Sequence, residues 1–220
     1  DGTAINYGTY NLDSGNDSLT LGAAGNIITV SGVETLAGAA GDDKVTFGDA
    51  AAISVDLDAG DDKITLGDFT NDLTISNVES VVGGSGADHV TVSTATAGGT
   101  FNLGDGSDSL DGKTGSDVLK GGEGEDLFIF STALNASNID KVKDFTKGDD
   151  FIELDNNIFG ELGGAVEKGE FYVGSAAHDA SDHIIYNKST GFLFYDEDGK
   201  NGDAAIKFAD VGKHLALANT

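Results

Sequence analysis

The stretch from Leu103 to Ile129 reads LGDGSDSLD, GKTGSDVLK and GGEGEDLFI, three nine-residue units joined without a gap. In each unit glycine holds the fourth place, aspartate the sixth and a large apolar residue the eighth. The rule is G-G-x-G-x-D-x-U-x, the nonapeptide of the calcium-binding parallel β-helix. Glycine takes positive φ without penalty, so the loop turns tightly and aims its carbonyl oxygens at one centre. Aspartate adds a hard anionic oxygen, the donor type that Ca²⁺ collects six to eight of. The apolar residue opens a short strand and points inward. One loop cannot fill such a shell, but two loops stacked one turn apart can. A turn is two units, so Asp108 and Asp126, 18 positions apart, are expected to share an ion while Asp117 faces the other edge.

The same pattern extends upstream. Gly83, Gly84, Gly86, Asp88 and Val90 match it in full. Gly60, Asp62 and Ile64, then Gly38, Gly41, Asp43 and Val45, and more loosely Gly15, Asp17 and Leu19, carry it toward the N-terminus. In GAAGNIITV, Ile27 stands where aspartate is expected, so that half-turn is read as lacking a ligand. The expected calcium set is therefore the carboxylates of Asp17, Asp43, Asp62, Asp88, Asp108, Asp117 and Asp126, with the loop backbone around Gly84, Gly86, Gly104, Gly106, Gly115, Gly122 and Gly124. Asp13, Asp58 and Asp105 fall at the second or third loop place and are read as carbonyl donors or solvated residues.

On these tandem units the chain resembles the RTX family, the repeats-in-toxin proteins exported by type I secretion. The resemblance implies a right-handed parallel β-roll that folds on meeting calcium outside the cell. It also implies a C-terminal export signal read by the type I secretion apparatus.

A longer repeat overlies the short one. Val30 to Phe47 (VSGVETLAGAAGDDKVTF) matches Ile75 to Val92 (ISNVESVVGGSGADHVTV) at an offset of 45, which is five units of nine. An odd number of half-turns moves equivalent loops to opposite edges. Asp43 and Asp62 are then expected on one edge, and Asp88, Asp108 and Asp126 on the other. A second arrangement, with wider turns and every loop on one edge, also fits the spacing. Between loops, Val45-Thr46-Phe47, Ile64-Thr65-Leu66, Leu73-Thr74-Ile75 and Val90-Thr91-Val92 alternate apolar and polar residues, the signature of strands with one buried face. Ala50 to Ile53 and Thr94 to Thr100 read as weaker turns without carboxylates.

Composition agrees with a metal-linked fold. Acidic residues outnumber basic ones 38 to 12, for a net charge of −26. Such a surface repels nucleic acid and anionic lipid, and it opposes compaction until cations offset the repulsion. Cysteine is absent, so no disulfide framework or thiol site exists, and no apolar run is long enough to span a membrane. No H-E-x-x-H, no G-x-S-x-G and no phosphate loop occurs, and the four histidines are scattered. The expectation is binding and not catalysis. The chain also has no methionine, which is read as a start inside a larger protein.

After Phe130 the glycine loops stop and Phe, Ile and Leu rise, placing a boundary between a roll over residues 1–130 and a β-rich cap over 131–220. Strands are expected at Phe171 to Val173 and His183 to Tyr186, with a hairpin of Phe192 to Tyr195 and Ala205 to Phe208. NNIFGELGG is read as one or two helical turns. Asp196, Asp198 and Asn201 imitate an EF-hand, but glycine comes at the fourth place and Lys207 replaces the closing acid, so an acidic hairpin turn is expected. The stretches DHIIYNKSTGFLFYDEDG and AAIKFADV resemble the cap of RTX proteins, and the chain stops at Thr220 without an acidic-apolar tail, which points to a trimmed end. The fold class is all-β. The function expected is that of a calcium-binding module in a secreted or cell-surface protein, of surface-layer or adhesin type and able to self-associate. The alternative is the C-terminal domain of a secreted protease or lipase.

Overall fold

The computed structural model describes residues 6–93, 98–200 and 202–217. Part of the weak turn at Thr94 to Thr100, Asn201 of the EF-hand imitation and the terminal Thr220 lie outside them. Among the described residues there is no helix. The strands in chain order are β1 (Asn6–Asn11), β2 (Ser18–Thr20), β3 (Asn26–Ser31), β4 (Thr35–Ala37), β5 (Lys44–Phe47), β6 (Ala52–Asp56), β7 (Lys63–Thr65), β8 (Asn71–Ser76), β9 (Ser80–Val82), β10 (Asp88–Val92), β11 (Thr100–Asp105), β12 (Ser109–Asp111), β13 (Val118–Glu123), β14 (Leu127–Phe130), β15 (Asp140–Val142), β16 (Phe151–Leu154), β17 (Phe171–Val173), β18 (Ile184–Asn187), β19 (Phe192–Tyr195) and β20 (Ile206–Asp210).

From β1 to β16 the chain is a parallel β-solenoid. Odd-numbered strands stack into one sheet and even-numbered strands into the other. The apolar places of the repeat form ladders between the sheets. In the odd sheet Ile28, Val45, Ile64, Val81, Phe101, Leu119 and Val142 lie in register, all buried. In the even sheet Ile53, Leu73, Val90, Leu110 and Phe128 do the same. Burying each such side chain contributes about 1.5–3 kcal/mol, so the stack of like on like is the main stabilising term of the roll. The intervening threonines face outward: Thr29, Thr46 and Thr65 align across three strands.

The superperiod behaves as an odd count of half-turns requires. Val30 is in β3 of the odd sheet and its 45-residue equivalent Ile75 is in β8 of the even sheet. Loops therefore gather on two edges, and the arrangement with all loops on one edge is not the one formed.

Composition changes at Phe130, yet the ladders run one turn further: β13 pairs with β15 and β14 with β16. The stack ends at Leu154. There β20 joins β15, and β19, β18 and β17 extend the odd sheet as the cap. The cap hairpin of β19 and β20 is antiparallel. Phe208 closes the roll, edge-on to Phe130 at 5.2 Å between ring centroids and to Phe159 at the same distance. Phe159 sits where helical turns were expected. The segment makes one turn, the Phe159 N–H donating to the Asp155 carbonyl, and then a second, the Leu162 N–H donating to the Phe159 carbonyl, without becoming a helix. Gly160 and the Gly163-Gly164 pair leave it few residues that favour a helix.

Candidate metal centre

The first edge is where the chain passes from odd to even strands, and the second edge is where it returns. On each, carboxylates of successive turns point along the stack, interrupted where Asn26, Ala51, Asn71 and Gly99 hold the place. On the first edge the backbone N–H of Asp88 donates to Oδ1 of Asp108 at 2.7 Å, and that of Asp108 to Oδ1 of Asp126 at 3.0 Å. On the second edge the N–H of Asp43 donates to Oδ1 of Asp62 at 2.7 Å. Asp117 stands on the second edge as well, its Oδ1 accepting the Gly99 N–H. Asp17 lies at the start of the first edge, its N–H donating to Glu34 at 2.7 Å.

These columns contain residues that the nonapeptide rule does not name. Asn26, not Ile27, occupies the ladder place beside Asp43: its N–H and its side-chain amide both donate to Oδ1 of Asp43. Asn71 does the same to Asp88. Glu34 and Glu79 take the aspartate role at the tighter corners, Glu79 accepting the Asp62 N–H at 2.7 Å. Below Asp117 comes Asp140, and below Asp126 comes Asp150. A signal for four of them was present. Asn26, Asn71, Glu34 and Glu79 each lie 17 residues from an aspartate of the set, and the two glutamates are equivalent in the 45-residue repeat.

Asp150 takes N–H groups on both oxygens, but most of the others leave one oxygen unused. The Oδ2 atoms of Asp17, Asp43, Asp62, Asp88, Asp108, Asp117 and Asp126 are buried without a hydrogen-bond partner, as is Oδ2 of Asp144. A buried, unpaired carboxylate oxygen is costly, and folded proteins rarely keep one unless a cation or proton meets it. Here eight recur in two columns. Their protonation equilibria respond accordingly. Burial, more than any neighbouring charge, pushes Asp62 and Asp108 up to about 7. It raises Asp117 to about 6 and Asp140 to about 7. Asp43, Asp88, Asp126 and Asp144 are raised for the same reason.

The glycines explain how the backbone comes so near. Gly104, Gly106, Gly115, Gly122 and Gly124 have φ of 99°, 142°, 130°, 120° and 134°. A Cβ on Gly122 would strike the carbonyl oxygen of Gly104, and one on Gly124 that of Gly106. Gly84 and Gly86 are pressed in the same way against the carbonyls of Gly67 and Phe69. The unpaired Oδ2 of Asp88 and of Asp117 lie over the first glycines of their own loops, Gly83 and Gly112, where a Cβ would come within 2.8 Å of them. Asp13 and Asp58, expected as carbonyl donors or solvated residues, take the left-handed φ of 64° and 66° that glycine supplies elsewhere. Each edge thus brings backbone carbonyls and unpaired carboxylate oxygens close together, a donor set of hard oxygens that fits Ca²⁺.

The sequence profile of the Peptidase M10 serralysin C-terminal family matches residues 71–218. No curated protein matches the chain. The profile covers well over half of the sequence, and the chain belongs to this family, the RTX-type calcium-binding β-roll region of type I-secreted proteins.

Proposed function

We propose that this member of the serralysin C-terminal family is a module that folds on binding calcium after secretion. The observation that carries the reading is the double column of buried carboxylate oxygens without partners. The proposed ligands are the carboxylates of Asp17, Asp43, Asp62, Asp88, Asp108, Asp117 and Asp126 with carbonyls of the glycine loops, and Asp140, Asp144 and Asp150 extend both columns into the last turn. Without a cation, each turn brings a buried charge next to those above and below it, and a chain of net charge −26 resists closing. Bound calcium neutralises the columns and ties each loop to the next, so binding and folding are one event. Where calcium is scarce the chain stays open for threading through the type I secretion apparatus. Outside, it closes, beginning at the cap, beside which the three unbroken nonapeptides lie.

The parent is proposed to be a surface-layer or adhesin-type protein. Supporting this are the 45-residue superperiod and the solenoid turns before residue 71, outside the family match. The family match itself favours the second reading, a secreted enzyme with its catalytic domain upstream.

Circular dichroism through a calcium titration of chelated protein, with magnesium as control, tests the proposal. A cooperative gain of β signal with calcium alone is expected. A chelated protein already folded and indifferent to calcium would show that the loops are ordinary turns.

A further inference from the structure

The two outer faces of the roll carry opposite charge. Of only 12 basic residues, Lys44, Lys63, Lys120 and Lys141 lie on odd-numbered strands and Lys143 just past β15. Each adjoins a buried ladder residue and so projects from the outside of the odd sheet. From β2 to β16 no even-numbered strand holds a lysine. The exposed carboxylates of those strands are Asp56, Asp72 and Glu153. Among the described residues, Lys44, Lys63, Lys120 and Lys143 form no salt bridge, and Lys141 reaches Asp210 at 3.7 Å. Even in a chain with 38 acidic residues, this face is left without carboxylate partners beyond that one contact.

The charges of the two faces also stand at the same heights. Consecutive strands share a turn, so β5 is level with β6, β7 with β8 and β15 with β16. Lys44 is therefore level with Asp56, Lys63 with Asp72, and Lys141 and Lys143 with Glu153. On both faces two charged turns adjoin, and the last charged turn lies four strands further on, roughly 19 Å at the usual strand spacing. Odd strands start at the second edge and even strands end there, which puts Lys44 and Asp56 beside the same edge. Between the charges both faces carry short side chains in register, Thr46 and Thr65 on one, Ser54, Thr74 and Thr91 on the other. Phe151, 57% exposed, adds apolar surface two places from Glu153.

We infer that the lysine face of one copy docks on the carboxylate face of the next, so that copies of this chain stack side by side by translation alone. Such a contact is heterologous. It leaves one face free at each end and repeats into an open row, as a layer requires. The inference supplies an interface for the surface-layer reading and rests on that reading. Calcium on the two edges permits the approach, since it offsets the repulsion between chains of net charge −26. Exposed ion pairs are individually weak, so the set acting together fixes orientation and specificity.

The test is sedimentation velocity of the calcium-loaded full chain, over a concentration series at low and at raised ionic strength. The wild type is expected to form a concentration-dependent series of oligomers that raised salt disperses. Lys44→Glu with Lys63→Glu on one face, and Asp72→Lys with Glu153→Lys on the other, are each expected to weaken association at least about tenfold, with far-UV dichroism unchanged. Mixing the two variants is expected to restore association, because each brings the face that the other lacks. Lys44→Gln with Lys63→Gln, which adds no negative charge, replaces the reversal if that impairs folding. Oligomers indifferent to these substitutions would overturn the inference and leave the surface-layer reading standing. A wild type that stays monomeric throughout would overturn both, and if it then bound poly-glutamate through the same lysines, the face would belong to an acidic polymer.

Discussion

Asp108→Asn separates a metal ligand from a structural hydrogen-bonder, because the two roles predict opposite signs with and without calcium. Asp108 is 3% exposed; one oxygen holds the Asp88 N–H and the other has no partner. Burial raises its carboxyl from 3.8 to about 7. Keeping it ionised at pH 8 then costs on the order of 4 kcal/mol of folding free energy. Asparagine removes that cost, retains an acceptor for Asp88, and gives up about 1 kcal/mol as a charge-assisted bond becomes a neutral one. Metal-free, the variant is expected to be more stable than the wild type by roughly 3 kcal/mol. In saturating calcium the sign reverses. The cation loses an anionic ligand and faces an amide N–H₂, and with the weakened ladder bond the variant is expected to lose about 2–3 kcal/mol. The assays are the urea midpoint in calcium and the osmolyte-induced folding midpoint in chelator at pH 8, where an excluded osmolyte drives burial without supplying a cation. A loss of stability of similar size under both conditions would refute the reasoning, since Asp108 would then act only through its bond to Asp88.

The chelated protein is expected to gain β signal as pH falls from 8 toward 5. Carboxyls raised to about 7 in the fold, as at Asp62, Asp108 and Asp140, are protonated there while the unfolded chain remains charged, so the folded state binds more protons and is favoured; the stability is lost again as pH rises through the folded values. A pH titration in chelator that shows the reverse trend would contradict this. Gly122→Ala places a Cβ against the Gly104 carbonyl at a φ of 120°, and is expected to cost at least 2–3 kcal/mol, by about the sum of backbone strain and overpacking. Gly163→Ala, with open space around it, should leave the calcium-loaded urea midpoint nearly unmoved. Phe208→Ala empties the contact between Phe130 and Phe159 and is expected to cost about 3–5 kcal/mol, read as a fall in the thermal midpoint of the calcium-loaded chain. If folding starts at the cap, the double variant Asp108→Asn, Asp126→Asn should also delay protection of β1 to β8 in hydrogen exchange; unaffected upstream protection would place the nucleus elsewhere.

Much of this protein was legible in its sequence, because a solenoid repeats one local decision. The nonapeptide register set strand length, the inward apolar ladder and the loop glycines, while the 45-residue offset fitted loops on two edges or on one and the strand pairing decided for two. Each follows from backbone geometry over a few residues, with period two in the strands and positive φ in the loops. The tertiary structure decided what depends on the turn above or below. Asn26 could not be chosen over Ile27 from its own unit, since its place is defined by an oxygen of Asp43, 17 residues on. Glu34 and Glu79 take the aspartate place at two corners, where their identity as ligand-column residues is defined by the Asp17 and Asp62 amides of the neighbouring turn. Phe159 sits at the junction of two single turns, and its place against Phe208 and Tyr195 is set by the cap and not by its own segment. Local pattern fixes which residues can turn or pack, but a carboxylate left with one buried oxygen unpaired exists only once the next turn has covered it and excluded the water that would have satisfied it.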